Sequence, residues 1–292
     1  MSPTIGEALK EAWHRLEAAG ICEARATAEI LLADLLMMAR PLLYVETHRL
    51  LSAQQCQGYA RRLERRLRGE PLQYITGRQD FWSLEFAVNS YVLIPRPESE
   101  LLVEQGVRLA QQWWHARQQA PLYLLDVGTG SGNLAISLAH ILPQSQVWGI
   151  DSALGALRVA QWNAQRLQVA ARLTWICGDL VAPLRGRKRD FALCVSNLPY
   201  VTTAEWQQLP REIKENEPPS ALLGGGDGLC LIRRLIATSP AVLAPGGSLL
   251  LEVGWRQAAA VVESIRAGGQ FQDVGVYQDM AGIDRVVWAR MP

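Results

Sequence analysis

From residue 122 onward the chain alternates short, almost wholly apolar runs with helical stretches, and this alternation limits the possible folds more than any other feature. The runs fall at residues 122–127, 147–150, 173–177, 191–195 and 248–253, with a final pair near 271–277 and 285–289. Residues that are apolar at consecutive strand positions face a covered surface on both sides. That is the situation in a mostly parallel sheet with helices on either face. The expectation is an α/β, doubly wound, mostly parallel seven-stranded sheet.

The first seventy residues read differently. Thr4 and Glu7 have capping-box spacing, Leu9, Trp13 and Leu16 fall on one helical face, and Gly20 supplies a stop. A second helix is expected over 24–39, ahead of Pro41, and a third from Ser52, with Gln55 three residues on and Cys56, Tyr59, Leu63 and Leu67 on one stripe. The opposite face of that third helix holds Arg61, Arg62, Arg65, Arg66 and Arg68, a solvated face or a docking surface for an acidic or RNA-bearing partner. Aromatic and β-branched residues over 72–94 predict a β-hairpin leading into Pro95 and Pro97, and a helix follows over about 98–118. The domain division expected is a helical domain at 1–71, a hairpin linker at 72–97 and the α/β domain at 98–292.

The chain of 292 residues carries 29 Lys+Arg against 28 Asp+Glu, a net charge of +1, which argues against a broad basic surface for coating nucleic acid. An apolar fraction of 49% is enough for a full core. Five scattered cysteines form no C-x-x-C pair, and His14, His48, His115 and His140 make no metal-ligand spacing, so reduced thiols and no metal centre are expected. Met1-Ser2-Pro3-Thr4 lacks the lead of a signal peptide, and no apolar stretch is long enough to span a membrane. A cytoplasmic protein is the expectation.

The first expected strand runs into Asp126-Val127-Gly128-Thr129-Gly130-Ser131-Gly132. Glycines at the carboxyl end of such a strand let the backbone approach a ligand closely. Asn133 stands where a dinucleotide fingerprint would have its third glycine, and no Gly-Lys-Ser/Thr follows to make a phosphate loop. The pattern instead resembles the S-adenosylmethionine loop of class I methyltransferases. Asp151 ends the second strand about twenty residues later, placed to accept ribose hydroxyls. After the third strand, Asp179 could accept from an adenine amino group while Leu180 packs on the ring.

At the end of the fourth strand stands Asn197-Leu198-Pro199-Tyr200. It resembles the Asn-Pro-Pro-Tyr signature of methyltransferases acting on planar nitrogen, with leucine in place of the first proline. An amide nitrogen is a poor nucleophile because its lone pair is delocalised. Two acceptors, the Asn197 side-chain oxygen and the carbonyl of Leu198, could hold its two hydrogens while the lone pair turns outward, and Tyr200 would pack on the flat group.

Five further stretches carry a wider resemblance: Gly69-Glu70-Pro71-Leu72-Gln73-Tyr74-Ile75, Ile94-Pro95-Arg96-Pro97-Glu98-Ser99-Glu100, Glu217-Pro218-Pro219, Gly225-Gly226-Asp227-Gly228 and Ala281-Gly282-Ile283-Asp284-Arg285. Over essentially its whole length the chain is similar to the bacterial release factor glutamine methyltransferases (the HemK/PrmC family). The resemblance implies methyl transfer from S-adenosylmethionine to N5 of the glutamine in the Gly-Gly-Gln loop of class-1 peptide chain release factors. By the same resemblance the helical domain recognises substrate. Gly128, Thr129, Gly130, Ser131, Gly132, Asp151, Asp179, Leu180 and Asn197 would bind the cofactor. Asn197, Leu198, Pro199 and Tyr200 would carry catalysis and hold the glutamine, with Arg96, Glu98 and Ser99 lining the substrate side. A monomer without direct nucleic-acid binding is expected. Three alternatives stay open: a ribosomal-protein glutamine methyltransferase, an adenine N6 DNA methyltransferase, and a binding module weakened in catalysis at Leu198.

Overall fold

The computed structural model describes residues 2–118, 120–186 and 190–292. Two compact units emerge, one formed by the chain up to Gly77 together with Pro210–Asn216, the other by Arg78–Leu209 and Glu217–Pro292.

The first unit is helical: α1 (Ile5–Ala18), α2 (Ala24–Leu36), α3 (Leu42–Val45), α4 (Ala53–Leu67) and α5 (Leu72–Thr76). Both expected capping boxes form, Thr4 with Glu7 and Ser52 with Gln55. On α1 the most deeply buried stripe is Ile5, Ala8, Ala12 and Leu16, while Leu9 and Trp13 flank it half-buried. α2 ends at Met37 in the left-handed region (φ 51°), short of the expected residue 39. Residues 72–76 were expected to open a hairpin, but they form a helical turn in which the amides of Tyr74 and Ile75 donate to the Pro71 carbonyl. Burial of both side chains overrides their strand preference.

The arginine face of α4 is mostly used within the unit. Arg62 pairs with Asp34 at 3.2 Å, and Arg65 pairs with Glu70 at 2.5 Å. Arg66, itself buried, donates to the Glu70 carbonyl at 2.9 Å and pairs at 2.9 Å with Glu212 on the returning segment. Asn216 on the same segment donates to the Gly69 carbonyl at 3.0 Å.

The second unit opens with the antiparallel hairpin β1 (Arg78–Phe81) and β2 (Leu84–Ala87). Trp82 and Ser83 turn it, both at positive φ, which matches the hairpin to strand twist. After a 3₁₀ turn at Pro97–Ser99 come α6 (Glu100–Ala116), β3 (Leu122–Val127), α7 (Asn133–Ile141), β4 (Ser145–Asp151), α8 (Leu154–Arg166), β5 (Leu173–Cys177) and β6 (Phe191–Ser196). The chain continues through β7 (Val201–Thr202), α9 (Thr203–Gln208), α10 (Arg211–Asn216, in the helical unit), β8 (Leu223–Gly225) and α11 (Cys230–Thr238). It finishes with β9 (Leu243–Glu252), α12 (Ala258–Gly268), β10 (Asp273–Gln278) and β11 (Asp284–Arg290).

Seven strands form the main sheet in the order β10-β11-β9-β6-β3-β4-β5, parallel except for β11, which runs antiparallel to both its neighbours. The doubly wound expectation holds, and the final pair of runs expected near 271–277 and 285–289 forms β10 and β11, which the structure shows to be antiparallel to each other. Alternate strand residues feed separate cores: Leu122 and Leu124 pack on one face, Leu125 and Val127 on the other. The strand order reverses between β3 and β6, and a ligand crevice belongs at the carboxyl ends of those strands.

Candidate active site

The β3 end and the glycine loop form one edge of a cavity holding about 1040 Å³ of space, its open mouth included. The amides of Gly128 and Thr129 donate to the Ile150 carbonyl at 2.8 and 3.0 Å, folding the loop over the end of β4. Gly128, Gly130 and Gly132 all have positive φ. A Cβ on Gly128 would lie 3.1 Å from Leu198 Cδ2, whereas one on Gly130 would meet no atom within 4 Å. Gly130 therefore leaves an open cradle on the cavity wall. Asp126, beneath the loop, accepts from Thr129 Oγ1 at 2.6 Å and from the Ala135 amide at 3.1 Å. Its burial pushes the carboxyl up to about 7.

Asp151 accepts from the Gly130 amide at 2.9 Å through Oδ2 and from the Ala153 amide at 2.9 Å through Oδ1. Each oxygen keeps a lone pair for a further donor. Gly128, Thr129, Gly130, Ser131, Asp151, Asp179, Leu180 and Asn197 all line the cavity, and so do Arg96 and Ser99. Gly132 does not line it, being enclosed by Ile136, Ala160 and Trp175. Asp179 is also paired with Arg234 at 2.5 Å, and Leu180 has φ +48° with its side chain buried.

A smaller adjoining pocket is lined by Arg96, Asn197, Leu198, Pro199 and Tyr200, among others. The tetrapeptide thus sits where the two pockets meet. Ser196 Oγ donates to the Val127 carbonyl at 2.5 Å, tying the fourth strand to the first just before it. Leu198 is buried, its side chain against Gly128. Asn197 Nδ2 donates to Ser99 Oγ at 2.9 Å. Gln257 Nε2 donates to the Tyr200 carbonyl at 3.0 Å. Arg96 pairs at 2.5 Å with the buried carboxylate of Glu217, which also accepts from the Ile94 amide at 3.3 Å. Glu98 is exposed and lines neither pocket.

The sequence reading missed Glu252. Fully buried at the end of β9, it accepts from Ser99 Oγ at 2.6 Å and from the Tyr200 hydroxyl at 3.3 Å. Burial pushes its carboxyl up to about 7, against the opposing pull of those two donors and of Arg285. An acid closing the apolar run Leu249-Leu250-Leu251 carries the same strand-tip signal that marked Asp151.

A doubly wound sheet with an open glycine loop at its switch point, joined to an Asn-Leu-Pro-Tyr strand end, defines a class I methyltransferase. Comparison with known proteins narrows this. The chain matches the PrmC N-terminal domain over residues 7–77 and a methyltransferase domain over 124–216. It is 41% identical to a release factor glutamine methyltransferase of Moorella thermoacetica, covering 97% of this chain and 96% of that one. It is 38% identical to the one of Koribacter versatilis, covering 99% of each. Among solved structures, the hMettl16 catalytic domain, in complex with the MAT2A 3'UTR hairpin 6, shares the fold with a TM-score of 0.56 at 14% identity, covering 79% of this chain and 81% of that one. The chain belongs to the release factor glutamine methyltransferase family.

Proposed function

We propose that this protein transfers a methyl group from S-adenosylmethionine to the side-chain N5 of the glutamine in the Gly-Gly-Gln loop of class-1 peptide chain release factors. The observation that carries this reading is the orientation of Asn197. Its amide nitrogen is taken by Ser99, so its oxygen remains as an acceptor where the two pockets meet.

The residues present fit the cofactor. The Gly130 cradle admits close approach, Asp151 retains lone pairs suited to two ribose hydroxyls, and Asp179 and Leu180 offer an acceptor and an apolar surface for an adenine. When bound, the sulfonium supplies an electrophilic methyl group. The protein's part is to hold the amide. Asn197 Oδ1 and the Leu198 carbonyl take its two N–H bonds, and Tyr200 covers its flat face. Such contacts strengthen as the nitrogen loses planarity, so they lower the barrier rather than merely bind. Among the described residues, the lining of the larger cavity holds no His, Lys or Glu. The amide is thus activated by geometry rather than by a strong base, and the nitrogen, strongly acidic once methylated, gives up its surplus proton to water afterwards.

The same reading gives the helical unit, whose boundary falls at Gly77 rather than the expected residue 71 and which takes in Pro210–Asn216, the recognition of the protein substrate, and gives the second unit the transfer. It places a monomer in the cytoplasm, without direct nucleic-acid binding. Among the described residues no helix is long and apolar enough to cross a membrane. Labelled S-adenosylmethionine incubated with unmethylated release factor, unmodified ribosomal protein and duplex DNA tests the assignment. Label entering the release factor alone is expected. Label in ribosomal protein or DNA would transfer the activity to that substrate, and none in any would make the chain a binding module.

A further inference from the structure

Three buried or half-buried groups, far apart in sequence, form one hydrogen-bonded line behind the tetrapeptide. Glu252 Oε2 accepts from Ser99 Oγ at 2.6 Å, and Ser99 Oγ accepts from Asn197 Nδ2 at 2.9 Å. A hydroxyl has a single hydrogen. Because Ser99 donates that hydrogen to a carboxylate, only its lone pairs face Asn197, and Asn197 must answer with its NH₂. The Asn197 oxygen is thereby turned to the opposite side. The other oxygen of Glu252 takes the Tyr200 hydroxyl at 3.3 Å.

We propose that Glu252 is a positioning residue for methyl transfer, fixing through Ser99 which end of the Asn197 amide meets the substrate and anchoring the Tyr200 ring directly. That role presupposes the glutamine methylation proposed above. A carboxylate is the one side chain at 252 that satisfies both arms, since it accepts at both oxygens and donates at neither. A carboxamide of the same shape must place its NH₂ against one of them. Against Ser99, it would make the hydroxyl accept, sending the serine hydrogen toward Asn197 and favouring the flipped amide. The flipped amide presents hydrogens to the hydrogens of the substrate amide, and the clamp is lost. Against Tyr200, it would leave the ring without its anchor.

This role separates from a structural one. Glu252 is a carboxylate buried at considerable cost, so a neutral isostere should stabilise the fold while impairing the reaction. Glu252→Gln is compared with wild type in kcat and KM for whole release factor, in S-adenosylmethionine affinity and in melting temperature at pH 8. The expected result is a kcat lowered on the order of 10- to 100-fold, the scale of a small misplacement of a reacting group. KM and cofactor affinity should stay within about threefold, and the melting temperature should be equal or higher. Ser99→Ala should show the same loss of kcat with KM and cofactor affinity kept, but a lower melting temperature, because it leaves the buried Glu252 carboxylate and the Asn197 NH₂ without that partner. The kcat of the double variant should lie within about threefold of the worse single one, since both interrupt one line.

An unchanged kcat in Glu252→Gln overturns the proposal, as does a loss explained by a fallen melting temperature or lost cofactor binding. Multiplying losses in the double variant overturn the line through Ser99. Wild type that binds S-adenosylmethionine yet leaves release factor unmethylated would defeat the functional reading itself. Methylation by wild type with full turnover in Glu252→Gln would defeat only this proposal.

Discussion

Asp151 does two jobs at once. Its oxygens accept the Gly130 and Ala153 amides, so it shapes the loop that it is proposed to help load. Hydrogen bonds to a charged group contribute roughly 1.5–3 kcal/mol each. Asp151→Ala should therefore weaken S-adenosylmethionine binding at least about tenfold and also lower the melting temperature of the ligand-free protein. Calorimetric titration with unchanged affinity would remove the ribose role. Leu198 supplies a backbone carbonyl as well as proline would, and lacks only the preset φ, worth about 0.4–1 kcal/mol at a compatible position. Leu198→Pro should change turnover only a few fold, measured beside wild type on one batch of release factor. Restoration of activity from an inactive wild type would instead mark the leucine as disabling. Glu252 adds a pH signature. Its carboxyl is raised from an ordinary 4.5 to about 7, with Tyr200, Ser99, Arg285 and Glu98 facing it. A raised carboxyl contributes stability that is full below about 4.5 and is lost as pH rises through about 7. Glu252→Gln should thus melt above wild type at pH 8, with the difference closing toward pH 5. A difference constant across that range would mean that the carboxyl is not raised.

At the scale of elements, the sheet was legible because each buried strand carries its own signal in a continuous apolar run. The capping boxes at Thr4 and Ser52 were equally local. What escaped was whatever depends on distant partners. Residues 72–76 read as strand by composition, yet Tyr74 and Ile75 are buried in a helical turn. The arginines of α4 read as a free face because their carboxylates, Asp34 and Glu212 among them, lie far off in sequence. Arg66 and Arg68 make this testable. Arg66 is buried and bonded to both Glu212 and the Glu70 carbonyl, whereas Arg68 is exposed and 3.9 Å from Glu64. Arg66→Ala should cost about 1–3 kcal/mol in denaturant unfolding, and Arg68→Ala less than about 0.5 kcal/mol. Equal costs would return the whole face to solvent.

Across the whole molecule, the candidate site shows the same division. Residues 128–131, Asp151 and residues 197–200, which line the two pockets, were readable because each closes or directly follows a strand, whereas Gly132 of the same run is turned into the core. The network behind them was not, since Ser99 and Glu252 are 153 residues apart and Asn197 is 98 residues from Ser99. The sheet order brings β9 beside β6, and the 3₁₀ turn at Pro97–Ser99, which leads into the helix α6 packed on both strands, adds Ser99. The motif over 94–100 is set by the same long reach: Arg96 and the Ile94 amide both depend on Glu217. The central claim is that this assembly methylates a glutamine amide held by Asn197. Its most direct test is peptide mass spectrometry of unmethylated release factor after incubation with S-adenosylmethionine and either wild type or Asn197→Ala. The account predicts one methyl group on the Gly-Gly-Gln glutamine with wild type. It predicts a rate lower by roughly a hundred- to a thousandfold with Asn197→Ala, while that variant still binds the cofactor. A methyl group on any other residue, or wild-type turnover by Asn197→Ala, would contradict it.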